Sequence, residues 1–425
     1  MSTGAKKKAQ WTVLGYLAGD NNLEGAAIDD INEMEAVGSS DRMNVVIQVD
    51  RAADFNQSNG DWRTTRRYYI TQGADRKKIT SKLLKDLGET NTGDSRVLQD
   101  FMRCAVQDYP AERYLLVLWN HGSGFYVPPE MMVGEGAPSP REMTTRARAK
   151  MRRSFFHTTR QEVFSQEPRK RGICYDDGSS DCLDNKELQQ VLSYMQTRLD
   201  GRKIDVVGMD ACLMTMLEVA YQIRNQAAIL VGSEETEPGE GWPYDRILAD
   251  LSAKPTMPGA DLAKCIVDRY IESYEEPGPF DQDVTQAALD LSRLGDVTAA
   301  VDALAKALLQ KLPSVQTKGA IVTAWQRAAR FFDNYYVDLH HFAENLGELA
   351  GDAAISTACQ GVKNAIEGRG AASPIIWERH LGEGMTKVKG LSIYLPPLKN
   401  PSDYYRTLDF AADTKWADFL DAYLT

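Results

Sequence analysis

The sequence predicts an α/β protein in which helices cover both faces of a mostly parallel β-sheet, with a second half dominated by helices. In the first half, short apolar runs such as residues 43–50 and 203–210 alternate with amphipathic helical stretches. These runs contain consecutive apolar residues rather than a strict alternation, which is typical of strands buried on both faces. In the second half, long helical patterns are interrupted by only two predicted strands, residues 285–291 and 388–396.

Each element follows from its local pattern. The helix at 95–109 has apolar residues at 97, 98, 101, 102 and 105, and Asp184 is the expected N-cap of the helix at 184–195. The remaining predicted strands cover residues 10–19, 113–124 and 227–233, and residues 66–70 add a hairpin or an edge strand. The other predicted helices cover 25–38, 211–225, 242–252, 259–275, about 292–312, 317–330, 338–369 with at least one break, and a short stretch at the C-terminus.

These elements divide the chain into four parts. Residues 10–125 and 173–255 form the two parts of the α/β core. Residues 126–172 lie between two sheet strands and carry no strand pattern, and long connections of this kind are usually functional or disordered. Residues 256–425 form either a smaller layer added to the sheet or a helical subdomain with added strands.

Composition excludes several classes of protein. No apolar run approaches the ~20 residues that a membrane helix needs. The six cysteines form no CxxC pair, which argues against a disulfide framework or a zinc site and predicts reduced thiols. The first residues contain no signal-peptide pattern, so we expect a cytoplasmic protein, with export of a longer precursor left open. The net charge of −11 disfavours nucleic-acid binding.

The charge is unevenly distributed along the chain. Residues 141–171 contain 10 Lys and Arg and 3 Glu, a local charge of +7, so the remainder carries −18. This basic segment is either a solvated insertion or a regulatory element of an otherwise acidic protein.

Two predicted strands end at residues that suggest catalysis. His121 lies just past the apolar part of the run at 113–124, in its Gly-rich turn, and Cys212 follows the strand at 203–210. Ligands of open α/β sheets bind beyond the carboxyl ends of the strands. If these strands are neighbours, imidazole and thiol share a crevice, and a thiol of pKa ~8.5 needs such a partner to react at neutral pH.

We also expect Cys212 to lie beside a helix N-terminus that favours its thiolate; the alternative is a packed core cysteine.

Acyl transfer also requires donors for the developing oxyanion. The backbone N–H groups of Gly122 and Cys212 are the candidates, because a glycine lets a substrate carbonyl approach the backbone closely.

At these residues the sequence resembles the clostripain family of cysteine peptidases, which shares the caspase-like fold with caspases, gingipains and legumain. The resemblance runs from about residue 11 to the C-terminus. It is carried by YLAGDNNLE (16–24), NHGSG (120–124), DDGSSDCLDNKEL (176–188), MDACLMTMLEVAYQI (209–223), GSEETEPGEGWPYDRIL (232–248) and GLSIYLP (390–396).

The resemblance implies a cysteine endopeptidase that needs no cofactor and acts on protein or peptide substrates. Cys212 would be the nucleophile and His121 the general base and acid of a dyad. Asn120 precedes the histidine on the strand, so its side chain should point away from the site.

The resemblance also implies cleavage after Arg, sometimes Lys. Asp210 is the first choice for the carboxylate of the specificity (S1) pocket, followed by Glu240 and then Glu237, because a carboxylate pairs well with a guanidinium. Trp242 and Tyr244 could form the wall of this pocket.

Several family members are processed in the region of the basic segment, which implies a zymogen activated by the enzyme itself or by an upstream protease. The candidate cleavage sites are Arg146, Arg148, Lys150, Arg152, Arg153, Arg160, Arg169, Lys170 and Arg171. Some members also need calcium, for which the acidic turns GDNN (19–22) and DDGSSD (176–181) are candidates without EF-hand spacing. The alternative function is that of an inactive caspase-like binding or scaffold protein.

Overall fold

The computed structural model describes residues 8–52, 55–73, 75, 78–125, 172–275, 283–331, 334–369, 372–396 and 404–424. The basic segment and its nine candidate cleavage sites lie outside the described residues, so these predictions stay as they are.

The described residues form strands and helices in an order close to the predicted one. The strands are β1 (Ala9–Leu17), β2 (Met43–Val49), β3 (Arg66–Tyr69), β4 (Lys82–Asp86), β5 (Ala111–Trp119), β6 (Gly172–Asp176), β7 (Asp181–Asp184), β8 (Ile204–Asp210), β9 (Ala227–Gly232), β10 (Val284–Asp290), β11 (Arg330–Phe331), β12 (Tyr336–Asp338), β13 (Ile375–Leu381) and β14 (Ser392–Tyr394). The helices are α1 (Glu24–Val37), α2 (Ser95–Asp108), α3 (Asn185–Arg198), α4 (Leu217–Ile223), α5 (Tyr244–Ala253), α6 (Gly259–Glu275), α7 (Leu294–Lys311), α8 (Val315–Arg327), α9 (Leu339–Leu349), α10 (Ala353–Glu367), α11 (Asp409–Asp413) and α12 (Trp416–Leu424).

The main sheet has nine strands in the order β13-β10-β9-β8-β5-β1-β2-β3-β4. The five central strands, from β9 to β2, are parallel, and the two strands at each edge are antiparallel. This arrangement confirms the predicted mostly parallel sheet. Sequence patterns missed the edge strands β4 and β13, because both carry charged residues that an exposed edge tolerates and a buried strand does not.

Helices cover both faces of the sheet, and each face has its own apolar core. Leu14 of β1 packs into one core with Phe101 of α2, whereas its neighbour Val13 packs into the other with Ile28 of α1. Successive side chains of a strand point to opposite faces, so the continuous apolar runs of the sequence fill both cores. No helix in the described part of the chain has the length and apolarity that crossing a membrane requires.

The second half of the chain extends the main sheet and also forms a second, smaller sheet. β10 and β13 extend the main sheet, while β11, β12 and β14 form a separate three-stranded sheet. This small sheet supports the segment that follows β8: the N–H of Ser392 donates to the carbonyl of Thr215 at 3.0 Å. The helical second half therefore helps to hold the loop that contains Cys212.

The predicted helix at 211–225 is shorter than expected. α4 begins at Leu217, and the residues between Cys212 and Met216 form an irregular connection in which Leu213 has a φ of 67°. The N–H of Leu213 donates to the carbonyl of Glu235 at 3.1 Å. Hydrogen bonds to neighbouring segments thus replace the first turn of the helix, and the prediction that Cys212 lies at a helix N-terminus was wrong.

The chain returns to the core beside the point where it leaves. The N–H of Ser123 donates to the carbonyl of Gly172 at 3.1 Å, and Gly122 forms an antiparallel bridge with Ile173. Strands β6 and β7 then form a hairpin that sequence patterns missed, since its β6 strand is only five residues long.

Candidate active site

The histidine and cysteine segments lie side by side at the carboxyl ends of β5 and β8. These strands are parallel and end with Trp119 opposite Asp210, and His121 and Cys212 each follow two residues beyond this pair. A Cβ atom built on Gly122 would lie 2.4 Å from the carbonyl oxygen of Cys212. The two segments are therefore in direct contact, and only a glycine fits at position 122.

The imidazole of His121 is held by a residue that follows β1. Its Nε2 lies 2.9 Å from Oδ1 of Asn22. Because an amide oxygen can only accept, Nε2 carries the hydrogen, and in a neutral ring Nδ1 is then free to accept a proton. Burial lowers the pKa of His121 to about 4, so the ring is neutral at physiological pH.

The thiol of Cys212 contacts the loop after β9. Its Sγ accepts a hydrogen bond from the N–H of Glu237 at 3.1 Å and lies 3.9 Å from the carbonyl oxygen of the same residue. Burial, with smaller contributions from the charges of Glu237 and Glu235, raises the pKa of Cys212 to about 12 against the effect of the N–H donor. The resting thiol is therefore protonated, which contradicts the predicted thiolate.

Within the described part of the chain, the thiol and the imidazole share no hydrogen bond. The resting site thus consists of two neutral groups, each held by a different loop. Catalytic hydrogen bonds often tighten only when substrate binds.

Asn120 has a structural role, as its predicted orientation requires. Its amide nitrogen donates to the carbonyls of Ala18 and Tyr175, and its amide oxygen accepts from the N–H of Tyr175 at 3.0 Å. It joins the ends of β1 and β5 to β6 and makes no contact with the imidazole.

Asn22 is the site residue that sequence reasoning missed. The signal was present, because Asn22 follows β1, the strand adjacent to β5, and the carboxyl ends of neighbouring parallel strands meet at one edge. It was interpreted as part of an acidic turn rather than as a partner of the histidine.

We expect Asn22→Ala to lower kcat about 10- to 100-fold with little change in KM, since the ring loses the contact that orients Nδ1. Asn22→Asp keeps an acceptor oxygen and adds a charge that favours the imidazolium. It should retain most of kcat and shift the acidic limb of the pH–rate profile to higher pH. Equal loss in both variants, without this shift, would indicate a structural role only.

A buried acidic pocket adjoins the thiol. Asp210, 4% exposed, accepts from the hydroxyl of Tyr244 at 2.7 Å and from the N–H of Trp242 at 3.3 Å. Its carboxyl is hydrogen-bonded to that of Glu237, which also accepts from the amide of Gln286 at 3.3 Å. Two carboxyl groups in contact must share a proton, since both cannot be charged.

Burial is the main cause of the raised pKa values in this pocket. It raises the pKa of Asp210 to about 6, and it raises the pKa of Glu237 well above its usual range, with a further contribution from the charge of Asp210. Asp30 of α1 is a third buried carboxyl near Asp210, and sequence reasoning missed it because it lies on a helix far away in the chain. Glu240 is exposed, so the structure places Glu237, rather than Glu240, in the pocket beside Asp210.

The predicted oxyanion donors have no competing partner. Neither the N–H of Gly122 nor that of Cys212 donates to a carbonyl or to another residue's side chain in the described ranges. Both groups belong to the two segments in contact at the strand ends, and they can bind an incoming carbonyl oxygen.

The two turns predicted for calcium do meet. The N–H of Gly178 donates to Oδ2 of Asp20 at 3.1 Å, and burial together with the charge of Asp176 raises the pKa of Asp20 to about 7. However, no group of three or more His, Cys, Asp or Glu side chains among the described residues could hold a metal ion. Calcium binding by these turns stays a prediction.

Comparison with known proteins agrees with this geometry. The sequence profile described as the Clostripain family matches residues 15–132 and 160–423. Clostripain from Hathewaya histolytica is 27% identical over 341 residues, which cover 70% of this chain and 56% of that protein. This chain therefore spans little more than half the length of that relative.

Solved structures show the same fold. A secreted C11 cysteine protease from Bacteroides thetaiotaomicron, in complex with an irreversible peptide inhibitor, superposes with a TM-score of 0.59 at 21% identity and covers 98% of this chain and 99% of its own. An inactive zymogen C11 protease from Parabacteroides distasonis superposes with a TM-score of 0.61 at 18% identity, covering 97% of this chain and 99% of its own. These neighbours confirm the caspase-like fold, and the profile match shows that the chain belongs to the clostripain family of cysteine peptidases.

Proposed function

We propose that this chain is an endopeptidase that cleaves after Arg, and less efficiently after Lys, with Cys212 as nucleophile and His121 as general base and acid. The observation that supports the proposal is the register of β5 and β8, which end with Trp119 opposite Asp210, two residues before His121 and Cys212 respectively. A nucleophile, a base and an acidic pocket then share one crevice.

The reaction follows from the two neutral groups. When substrate binds, Nδ1 of His121 takes the thiol proton and the sulfur of Cys212 attacks the carbonyl carbon. The negative oxygen is stabilised by the N–H groups of Gly122 and Cys212. As the tetrahedral intermediate collapses, the C–N bond breaks and the imidazolium gives its proton to the leaving amine. A water molecule, deprotonated by His121, then attacks the thioester, releases the acid and restores the thiol.

Specificity is assigned to the paired carboxyls of Asp210 and Glu237. A guanidinium presents several N–H donors in a plane, which suits two carboxyl groups better than the single ammonium of Lys does. The carboxyl pair keeps its shared proton, so it carries one negative charge, and the bound cation compensates that charge inside the buried pocket. Tyr244 and the backbone of Trp242 keep Asp210 oriented from the other side.

We also propose that the enzyme is made as a zymogen and is activated by cleavage within 141–171, by itself or by an upstream protease. The segment contains ten Lys and Arg residues, which match the acidic pocket. Its flanks at Ser123 and Gly172 are bonded to each other beside His121, so the segment is tethered next to the site at high effective concentration. The hydrogen bonds of β6 and β7 with the core would hold both fragments together after cleavage.

A panel of fluorogenic peptides that differ only at P1 tests the specificity. We expect cleavage to fall in the order Arg, Lys, citrulline, with citrulline at least about 100-fold below Arg because it has the shape of Arg without the charge. An Arg chloromethyl ketone should label Cys212, as peptide mass spectrometry would show. Neither cleavage nor labelling would be found if the chain were an inactive scaffold, and equal cleavage of Arg and citrulline would exclude the acidic pocket as S1.

A further inference from the structure

We infer that Glu237 couples the acidic pocket to the nucleophile, so that a cation bound in the pocket activates Cys212. This inference rests on the proposed function, since it requires the acidic pocket to accept a P1 side chain. It adds a positioning role for Glu237 that neither the sequence nor the family resemblance contained.

The coupling follows from the position of one residue. The backbone of Glu237 contacts the thiol of Cys212 through both its N–H, at 3.1 Å, and its carbonyl oxygen, at 3.9 Å. The side chain of the same residue contacts Asp210 and Gln286 in the pocket. No separate relay is needed, because a change in the contacts of the Glu237 side chain acts directly on the backbone that holds the sulfur.

The resting arrangement holds the thiol in an unreactive state. The sulfur is hydrogen-bonded to the Glu237 backbone and not to His121, and the nearby carboxyl groups of Glu235 and Glu237 disfavour a thiolate. One carboxyl oxygen of Glu237 is buried without a hydrogen-bond partner in the described structure. Such an acceptor can take a hydrogen bond from a cation that enters the pocket.

A cation in the pocket changes this state in two ways. It supplies donors for the Glu237 carboxylate and so competes with the contacts that now fix this residue. Its positive charge also offsets the carboxylates close to the sulfur, which lowers the cost of forming a thiolate. The other titratable groups that face the pair are Asp30, Tyr244, Tyr270 and Tyr274, all of which favour their neutral forms. The carboxyl pair keeps its shared proton, so the bound cation neutralises the single negative charge of the pair, and the thiol passes its own proton to His121.

The test uses alkylation by iodoacetamide, in which a bond from sulfur to carbon forms, iodide leaves and the thiol proton is lost. The rate at Cys212 is measured in the whole chain by peptide mass spectrometry, at fixed neutral pH, with and without benzamidine. Benzamidine carries the amidinium charge of a P1 side chain but has no scissile bond. Benzamide is the neutral control, and Cys104, a partly exposed cysteine on α2, is the internal reference.

We expect benzamidine to accelerate alkylation of Cys212 at least about threefold, since each unit of pKa changes the thiolate fraction tenfold. Benzamide should have no effect, and neither compound should change the rate at Cys104. In Glu237→Gln the acceleration by benzamidine should be lost, whereas Asp245→Asn on α5 should respond as the wild type does. Among the described hydrogen bonds, Asp245 accepts only from the N–H of Arg246. It therefore serves as a matched control for the loss of a carboxylate.

A second measurement needs no alkylating agent. In the wild type, kcat as well as KM should favour Arg over citrulline at P1, because the cation acts on the nucleophile. Glu237→Gln should reduce this difference in kcat while a preference in KM remains through Asp210.

The outcomes separate the two proposals. If the wild type cleaves Arg peptides and benzamidine inhibits that cleavage, but alkylation of Cys212 slows or is unchanged, the coupling is overturned and the proposed function stands. If Arg peptides are not cleaved and benzamidine does not bind, both proposals fail. A Glu237→Gln variant that does not fold leaves the comparison of benzamidine with benzamide in the wild type as the deciding result.

Discussion

Cys212→Ala is expected to lower kcat/KM for a peptide with Arg at P1 by at least about 10⁴-fold, because no other nucleophile lies at this position. His121→Ala should cause a loss of similar size, since a buried thiol whose pKa is raised to about 12 is almost fully protonated without a base. The double variant should be little worse than either single one, because the two side chains act as a unit. Steady-state kinetics of the purified variants measure all three.

The matched control is Cys104→Ala, which removes a thiol from α2 outside the site. It should retain wild-type kcat/KM. Substantial hydrolysis by Cys212→Ala would contradict the assignment of the nucleophile. Near-normal activity of His121→Ala would show that a different group serves as base.

The Cys212→Ala variant also separates self-processing from activation by another protease. If the enzyme processes itself, Cys212→Ala made alone stays full length, whereas the wild type divides within 141–171, as intact-mass analysis would show. A variant that divides as completely as the wild type would assign cleavage to an upstream protease and would leave the peptidase assignment intact.

Asp210→Asn is expected to lower kcat/KM for Arg substrates about 10²- to 10³-fold, mainly through KM. Removing the charged partner of a buried cation costs about 2–5 kcal/mol, because the guanidinium is left desolvated and uncompensated. Cleavage of the citrulline peptide should fall far less, so the preference for Arg collapses. Asp205→Asn, at the amino end of the same strand, is the matched control and should keep this preference.

The pH dependence of KM provides an independent check on Asp210. Burial raises the pKa of this group to about 6, so in the free enzyme its carboxyl is protonated below that pH and charged above it. A cationic P1 side chain binds the charged form, so KM for Arg peptides should fall as the pH rises from about 5 to about 7. This trend should be absent from Asp210→Asn. A KM that is flat over this range in the wild type would argue against Asp210 as the residue that binds P1.

Much of the candidate site could be predicted from local pattern. The strands before His121 and Cys212 are recognisable as apolar runs, and parallel strands present their carboxyl ends at one edge, so placing both residues at this edge followed from strand assignment, while the adjacency of β5 and β8 came from the fold. Gly122 was identified because it adjoins the histidine, and the contact of position 122 with Cys212 explains why no side chain fits there. Asp210 was identified by its place on the strand before the nucleophile.

Other features depended on contacts between distant segments. The helix predicted from residue 211 begins only at Leu217, because hydrogen bonds with Ser233, Glu235 and Ser392 override local helical preference. The partner of His121, Asn22, comes from a loop ninety-nine residues earlier in the chain. Whether Glu237 or Glu240 lies in the acidic pocket beside Asp210 depended on which of these two loop residues turns inward.

The sequence by itself determined the buried central strands, their helical cover on both faces and the strand ends that carry nucleophile, base and acidic residue, because strand burial depends on local periodicity. Only the tertiary structure decided the state of the site. Burial of Cys212, His121 and Asp210 sets their proton occupancy, and burial arises from the packing of segments far apart in the chain. The predicted thiolate was wrong for this reason: a strand end can be located from apolar residues, but the hydrogen bonds and charges around a sulfur cannot.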